Sequence, residues 1–428
     1  MQQEIKKKYK PRIVDSQISR YLNIFGAVCI EGPKWCGKTW TASMHSNSEL
    51  LIGSPEGNFQ TRKFAELAPE ASLNGNTPRL IDEWQDVPQL WDAVRSEVDK
   101  RSEKGQFILT GSSTPQIKGI MHSGTGRIGT IRMNTMSLYE SGDSSGLISL
   151  KSLCHGEIEM ALTGDVSLDK LIYLTVRGGW PGNIKADEND ALIIPQSYIS
   201  SVINYDFSRV NNGGYSKSKL ELLLRSLARN EGTTASNNKI LNDITASDEK
   251  PLAKETLSSY MDILERLFLI ENQAAFSSNI RSTVRLKTAS KRHFCDPSLA
   301  CAILGATPEK LKKNLNTFGF MFESLVERDL RIYAESIGAR LYHYQDYYGK
   351  EVDAVIELND GSWCAFEIKL GANQIDEAAD NLLKIKHAIE NDAKGNPPSV
   401  LCVICGMSNA CYKRPDGVFV VPITALKD

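Results

Sequence analysis

A single run of residues carries the most specific chemistry in the chain: Gly32, Pro33, Lys34, Trp35, Cys36, Gly37, Lys38 and Thr39, spaced as G-x-x-x-x-G-K-[ST]. Glycines in such a loop let the backbone curl until consecutive N–H groups converge on phosphate oxygens. Lys38 then suits neutralisation of β- and γ-phosphates, and the Thr39 hydroxyl suits ligation of Mg2+, so the implied ligands are ATP and Mg2+. Farther on, the apolar Leu80-Ile81 ends in Asp82-Glu83. An acidic pair at a strand's end is the Walker B arrangement, in which Asp82 holds the metal through water and Glu83 acts as general base on the attacking water. A third apolar run ends in Thr110, Ser112 and Ser113. Hydroxyls there either sense the γ-phosphate, with Ser112 the candidate, or make a Gly-Ser turn. Arg127, flanked by glycines in GTGRIG, either reaches a phosphate or is a surface loop arginine.

A second constellation is built from Glu323, Asp353, Glu367 and Lys369. In Trp363-Cys-Ala-Phe-Glu-Ile-Lys-Leu, strand alternation puts Glu367 and Lys369 on one face, opposite Cys364, Phe366 and Ile368. The same alternation separates Asp353 from Val352, Ala354 and Ile356. Neighbouring strands thus gather two carboxylates and an amine, with Glu323 on a preceding helix. Phosphodiester hydrolysis uses such a set: carboxylates concentrate Mg2+, the metal activates water, and a lysine orients or deprotonates the nucleophile. Asp353 and Glu367 are the candidate metal ligands. Between Glu271 and Asp296 there is no acid, while Arg281, Arg285, Lys287, Lys291 and Arg292 supply cations beside His293, and Lys310, Lys312 and Lys313 follow. The run makes either phosphate contacts to DNA or a solvated face.

These residues require elements to place them. GAVCIE, PRLIDE and GQFILTGSS read as strands buried on both faces, separated by helical stretches such as VPQLWDAVRSEVDKRSE, the rhythm of a parallel α/β sheet. Ser141–Gly146 is a small-residue linker. From Asn237 the pattern becomes helix, turn, helix, then a hairpin over NIRSTVRLKTASKRHF, which together suggest a winged helix. The expected division is 1–150 for a P-loop α/β domain, 151–205 for a helical lid or linker, 206–305 for a winged-helix-like region and 306–428 for a C-terminal α/β domain; the family resemblances below imply that the first is AAA-like and the last restriction-endonuclease-like. A chain of 428 residues with 41% hydrophobic and 24% charged residues suits such a multidomain globular protein and excludes wholesale disorder. The net charge of −2 leaves any basic surface local. No apolar stretch has bilayer length and the start lacks a secretory h-region, so the expected compartment is the cytoplasm, with no membrane partner. Nine cysteines form no disulfide framework, and the Cys402/Cys405 pair lies in an apolar strand, where residues i and i+3 face opposite ways and read as core.

GPKWCGKT, LIDEWQ, FILTGSS and GTGRI, in this order, with SLYE, RGGWPGN, FESLVERDLRIYA and EVDAVIELNDG, resemble the prokaryotic AAA-superfamily ATPases (AAA/STAND-like) that carry an uncharacterised nuclease-like C-terminal domain. The resemblance covers nearly the whole chain. It implies an AAA ATPase core with ATP and Mg2+, and an arginine finger from a neighbouring subunit, for which Arg127 is the candidate, hence a homo-oligomer. The second constellation resembles the PD-(D/E)xK nucleases, with Asp353 as the D, Glu367-x-Lys369 as the E-x-K and Glu323 as the helical acid; Val352 stands where the proline would be. Two functions follow. One is an ATPase coupling Mg-ATP binding and hydrolysis to a DNA-handling, nucleolytic end. The other is a nucleotide-switched DNA- or protein-binding sensor whose nuclease-like module does not cut. A metabolic kinase is disfavoured, because no acceptor-binding motif can be named.

Overall fold

The strand β1 (Ala27–Glu31) is apolar on both sides, as a central parallel strand must be. In the computed structural model, which describes residues 8–55, 59–114, 121–210, 214–245, 252–279, 288–346, 349–391 and 395–428, β1 is the fourth strand of a five-stranded sheet. With β2 (Ser48–Leu51), β3 (Arg79–Asp82), β4 (Phe107–Gly111) and β5 (Ile128–Arg132), the order is β2-β3-β4-β1-β5, and every pairing is parallel. Strand alternation sorts the core. Ala27, Cys29, Ile81, Phe107 and Leu109 face the helix Gln89–Arg101 through Leu90, Val94 and Val98, while Val28, Ile30, Leu80 and Ile108 face Ile18 and Ala42. Each fully buried Ile or Leu contributes about 1.5–3 kcal/mol, so the sheet is secured from both sides. A parallel sheet gathers its strands' carboxyl ends at one edge, where Glu31 lies level with Gly111 and Arg132, and Asp82 with Thr110.

The chain divides into two units. The first comprises Met1–Thr135, Asp206–Gly213 and Asp262–Leu269; the second comprises Met136–Tyr205, Gly214–Met261 and Ile270–Asp428. The second is built on a seven-stranded mixed sheet. Its strands, with two short ladders beside it, are β6 (Ile148–Ser149), β7 (Ala161–Leu162), β8 (Ile270–Gln273), β9 (Lys291–Phe294), β10 (Arg340–Gln345), β11 (Glu351–Glu357), β12 (Trp363–Lys369), β13 (Val400–Cys405), β14 (Ala410–Lys413), β15 (Phe419–Pro422) and β16 (Leu426–Lys427). The sheet order is β10-β11-β12-β13-β15-β14-β7, and the ladders are β16-β6 and β8-β9. β10, β11 and β12 are antiparallel neighbours, whereas β12, β13 and β15 run parallel. The helix Ile375–Glu390 covers one face with Ile375, Ala378, Ala379, Leu382, Ile385 and Ile389, the three- and four-residue spacing of a helical stripe. The Ser141–Gly146 stretch lies within this unit, where Ser144 Oγ donates to Leu426 O at 2.6 Å. Cys402 and Cys405 are both buried and free, consistent with core.

The region expected to be a winged helix shows helices Lys217–Arg229, Asn237–Thr245 and Lys254–Arg266, followed by β8 and β9 paired antiparallel. β9, the end of the expected hairpin, pairs upstream with β8, Ile270 opposite Phe294 and Gln273 opposite Lys291, and the rest of that hairpin, residues 280–287, lies outside the described residues. Arg281, Arg285 and Lys287 of the basic run lie outside the described residues. No described helix is long and apolar enough to cross a membrane.

Candidate functional site

The loop after β1 forms where the backbone has least room. A Cβ on Gly32 would meet Met133 O at 2.1 Å, and Gly37 takes φ 105°, a left-handed value that favours glycine. Trp35 holds φ 61° between them, a strained setting of the kind found at ligand loops. Lys38 is 5% exposed, and its Nζ donates to Gly32 O at 3.0 Å and Pro33 O at 2.7 Å, so the amine rests on the loop's own carbonyls. Cys36 Sγ points at Met133 O, 3.6 Å away. Arg12 braces the loop from outside, donating to Cys36 O at 2.7 Å and Asn134 O at 2.9 Å. The sequence reading missed Arg12, since a lone arginine before the first strand carries no local signal.

Thr39 Oγ1 donates to Asp82 Oδ1 at 2.8 Å, and Thr110 Oγ1 donates to the same oxygen at 2.6 Å. Burial raises the Asp82 carboxyl above its ordinary range, partly offset by these two donors. The neighbouring Glu83 has φ 57° and ψ 45°, which turns its side chain from the strand toward β4. Its carboxylate accepts from Ser112 Oγ at 2.9 Å and from Gln85 Nε2. Three parallel strand ends therefore bring Lys38, Thr39, Asp82, Glu83, Thr110 and Ser112 together. Mg2+ is a hard cation that takes oxygen ligands, and the adjacent Thr39 hydroxyl and Asp82 carboxylate fit that donor set.

Arg127 sits elsewhere. Its carbonyl accepts from Ala27 N at 3.0 Å, at the amino end of β1, whereas the phosphate loop follows the carboxyl end. A five-residue strand separates the two by about 13 Å. The guanidinium pairs with Asp99 Oδ1 at 2.9 Å. Within one chain Arg127 does not complete the site.

In the second unit, β11 and β12 bring Asp353, Glu367 and Lys369 together as strand alternation predicts. Lys369 Nζ lies 3.2 Å from Asp353 Oδ2 and 2.6 Å from Glu367 Oε2. Asp353 Oδ2 also accepts from Ile368 N at 2.7 Å, and Glu367 Oε1 accepts from Asn381 Nδ2 at 2.7 Å. Burial and the nearby Asp353 push the Glu367 carboxyl up to about 7. Glu323 joins from the helix Leu315–Ser336, but through an amine the sequence reading assigned to the wing. Lys291 Nζ donates to Glu323 Oε1 at 2.5 Å, Glu327 Oε1 at 2.9 Å and Asp353 O at 3.3 Å. His293 follows it inward, 2.8 Å from Glu327 Oε2 and 3.3 Å from Glu231 Oε1. Burial would lower His293, but Glu327 and Glu231 outweigh it and bring it to about 9. Burial, with Asp353 adding to it, raises Glu323 to about 8; Glu327, which burial alone would raise, is brought to about 2 by Lys291 and His293.

One expectation is thereby corrected. Lys291 and His293 are buried and paired with carboxylates, so they do not face DNA phosphates; Arg292, which alternates to the other side, lies 3.3 Å from Asn237 Oδ1. Among the described residues no three His, Cys, Asp or Glu side chains are arranged to hold a metal ion. Asp353 Oδ2 accepts from Lys369 Nζ and Ile368 N, and the two Glu367 oxygens accept from Lys369 and Asn381.

Comparison with known proteins agrees with the first unit. Residues 25–141 match an AAA domain, residues 168–310 a domain of unknown function (DUF8612), and residues 318–426 another (DUF4143). An uncharacterized protein of Mycobacterium tuberculosis is 22% identical over 361 residues, 83% of this chain and 72% of that one. An uncharacterized protein of Haemophilus influenzae is 28% identical over 311 residues, 72% of this chain and 69% of that one. Among solved structures, a Walker-type ATPase of Pyrococcus abyssi is similar, with a TM-score of 0.45 at 14% identity over 70% of this chain and 97% of that one. The family match over residues 25–141, laid on the phosphate-loop geometry, supports an AAA-type ATPase domain in the first unit.

Proposed function

We propose that this chain is an ATP-hydrolysing switch whose second unit engages DNA without cutting it. The observation that carries the ATPase part is the joining of Thr39, Asp82 and Thr110 on one carboxylate oxygen beside the loop-bound Lys38. On arrival of ATP, Lys38 leaves the Gly32 and Pro33 carbonyls for the β- and γ-phosphates. Gly32, Pro33, Lys34, Trp35, Cys36 and Gly37 wrap the phosphates with their backbone. Thr39 and Asp82 would hold Mg2+, which supplies charge neutralisation on the phosphates. Glu83, released from Ser112 and Gln85, serves as general base on water, and Ser112 reports the γ-phosphate. Arg127 acts only on a neighbouring copy, which makes the working form a homo-oligomer.

The non-cutting reading of the second unit is favoured by Lys291, whose ammonium is held by Glu323, the helical acid of the constellation, by Glu327 and by the Asp353 carbonyl oxygen. Engagement of DNA rests on the acid-free run that includes Arg281, Arg285 and Lys287. Phosphate release tests the first part: Lys38→Ala loses ATP binding, and Glu83→Gln binds ATP without hydrolysing it. Unchanged turnover by Glu83→Gln would remove the general base. Linear, nicked and branched DNA incubated with Mg2+ or Mn2+ tests the second. Cleavage by wild type that Asp353→Ala abolishes would restore the nuclease reading. A DNA affinity independent of salt would remove nucleic acid altogether.

A further inference from the structure

Two short stretches of the first unit, Asp206–Gly213 and Asp262–Leu269, are separated from the rest of it by long passages of chain that belong to the second unit. Both return to the carboxyl edge of the parallel sheet. Asp206 forms an ion pair with Lys34, in the middle of the phosphate loop. Arg209 Nη2 donates to Asp86 Oδ1 at 2.9 Å, just beyond Asp82-Glu83. Arg266 and Thr114 exchange two bonds, Arg266 Nε to Thr114 O and Thr114 N to Arg266 O, each 3.0 Å, immediately after Ser112-Ser113. Phe268 lies beneath the Arg132 guanidinium, 4.0 Å from its carbon to the ring centroid, at the end of β5. All four strand ends that border the proposed nucleotide position are thus held by these two stretches. The first enters through a π-helical turn, Val202–Asp206, a distortion frequent at functional positions.

We propose that Asp206 and Arg209 are the positioning residues through which this chain reads the occupancy of its phosphate loop. Asp206 is the anion that Lys34 keeps while no phosphate is present, and Arg209 holds the loop that follows Glu83. Asp206 is 8% exposed in its side chain and Lys34 35%, so the amine keeps a face open to an incoming polyanion. A triphosphate competes with Asp206 for Lys34, and movement of Lys38 off the Pro33 carbonyl shifts the peptide next to Lys34. Binding therefore loosens residues 206–210. Linkage makes the effect reciprocal: whatever ATP does to this contact, the contact does to ATP affinity by the same factor. The inference rests on the ATP-binding reading above.

The test uses the full chain, fluorescent ATP titration, and amide hydrogen exchange over residues 202–210. Asp206→Asn binds ATP about 5-fold tighter or more, the lower end of ordinary coupling, and Asp206→Glu returns toward wild type. In wild type, ATP accelerates exchange over residues 202–210, and in Asp206→Asn that exchange is fast with or without ATP. Arg209→Gln, which leaves Asp206 and Lys34 intact, tightens ATP in the same direction and guards against misfolding of the first variant. Asp206→Asn and Arg209→Gln affinities both within twofold of wild type, or exchange unaffected by ATP, would overturn the proposal. If wild type shows no ATP binding and matches Lys38→Ala, the ATP reading itself fails, which is a separate outcome.

Discussion

Replacing Lys291 by Met removes an ammonium and keeps most of the apolar stem. The ammonium lies 2.5 Å from Glu323 Oε1 and 2.9 Å from Glu327 Oε1, and the Glu327 side chain is 1% exposed. Breaking a buried ion pair by removing one partner costs about 3–5 kcal/mol, because the other charge is left without compensation. Two features place Lys291→Met at the lower end, about 3 kcal/mol. Glu323, already pushed up to about 8, is mostly protonated at neutral pH and gives up little when its partner goes. Glu327 keeps His293, 2.8 Å from its other oxygen. The assay is urea unfolding followed by amide exchange in the helix Leu315–Ser336, since two units need not unfold together. Adding Glu327→Gln removes the stranded charge, so the double variant recovers part of the loss, a coupling that a double-mutant cycle measures. The same opened pocket gives Lys291→Met a Mn2+-binding isotherm that wild type lacks. A Lys291→Met protein within about 0.5 kcal/mol of wild type, the range of ordinary surface changes, would refute the counter-ion role.

Other outcomes follow from the same geometry. Glu323, Glu367 and His293 draw stability from the second unit as pH rises from about 4.5 to 9, since their folded values are raised to about 8, 7 and 9 over 4.5, 4.5 and 6.5 and the native state holds the extra protons. His343, lowered to about 4 by burial and Lys291, opposes them below 6.5, so most of the net loss falls between about 6.5 and 9, and exchange in the helix Leu315–Ser336 at stepped pH reads it. Glu327 acts oppositely, since its lowered value gives a contribution present above 4.5 and lost only as pH falls through about 2. Gly32→Ala abolishes ATP binding, because its Cβ would stand 2.1 Å from Met133 O; a binding titration on folded protein checks it. Arg127→Ala leaves ATP affinity within twofold but lowers turnover about 10³-fold, and mixing it with Glu83→Gln subunits restores part of the rate, since a mixed interface regains one intact site.

The geometry of the candidate nucleotide site was legible because its parts are contiguous and each has a local cause. A glycine is needed where a Cβ has no room, a lysine and a threonine follow it, and an apolar strand ends in Asp82-Glu83. The helical period of Leu90, Val94 and Val98 also points to a helix within residues 87–103, observed over Gln89–Arg101, and the apolar runs on either side point to its flanking strands. What it could not supply were partners distant along the chain. Asp206 is 172 residues from Lys34, and Arg12 reaches Asn134 across 122. Nor could it tell that Arg127 stands at the amino edge of the sheet, since a motif's order along the chain does not state which end of a strand a flanking residue occupies.

The carboxylate cluster shows where motif logic stops short. Alternation along β11 and β12 correctly joins Asp353, Glu367 and Lys369, because a period of two is a property of the strand itself. Whether the joined acids take a metal is decided by the charge already present within hydrogen-bond reach, which includes residues of other elements. Lys291 and His293 were read as wing cations because no acid lies near them in sequence, yet their spacing held a warning. Residues i and i+2 of a strand share a face, and a lysine and histidine facing the same way beside a helix bearing Glu323 and Glu327 meet four residues' worth of helical rise, one turn of carboxylates. The buried acids near β9, β11 and β12 then have their own cations: Lys291 for Glu323 and Glu327, His293 for Glu327 and Glu231, Lys369 for Asp353 and Glu367. Against the lowering by burial, these carboxylates in turn raise the pKa of both Lys291 and Lys369, so both ammonium groups keep their charge. The D…E-x-K pattern therefore establishes a strand geometry, and the Mn2+ isotherms of wild type and Lys291→Met decide whether that geometry takes a metal.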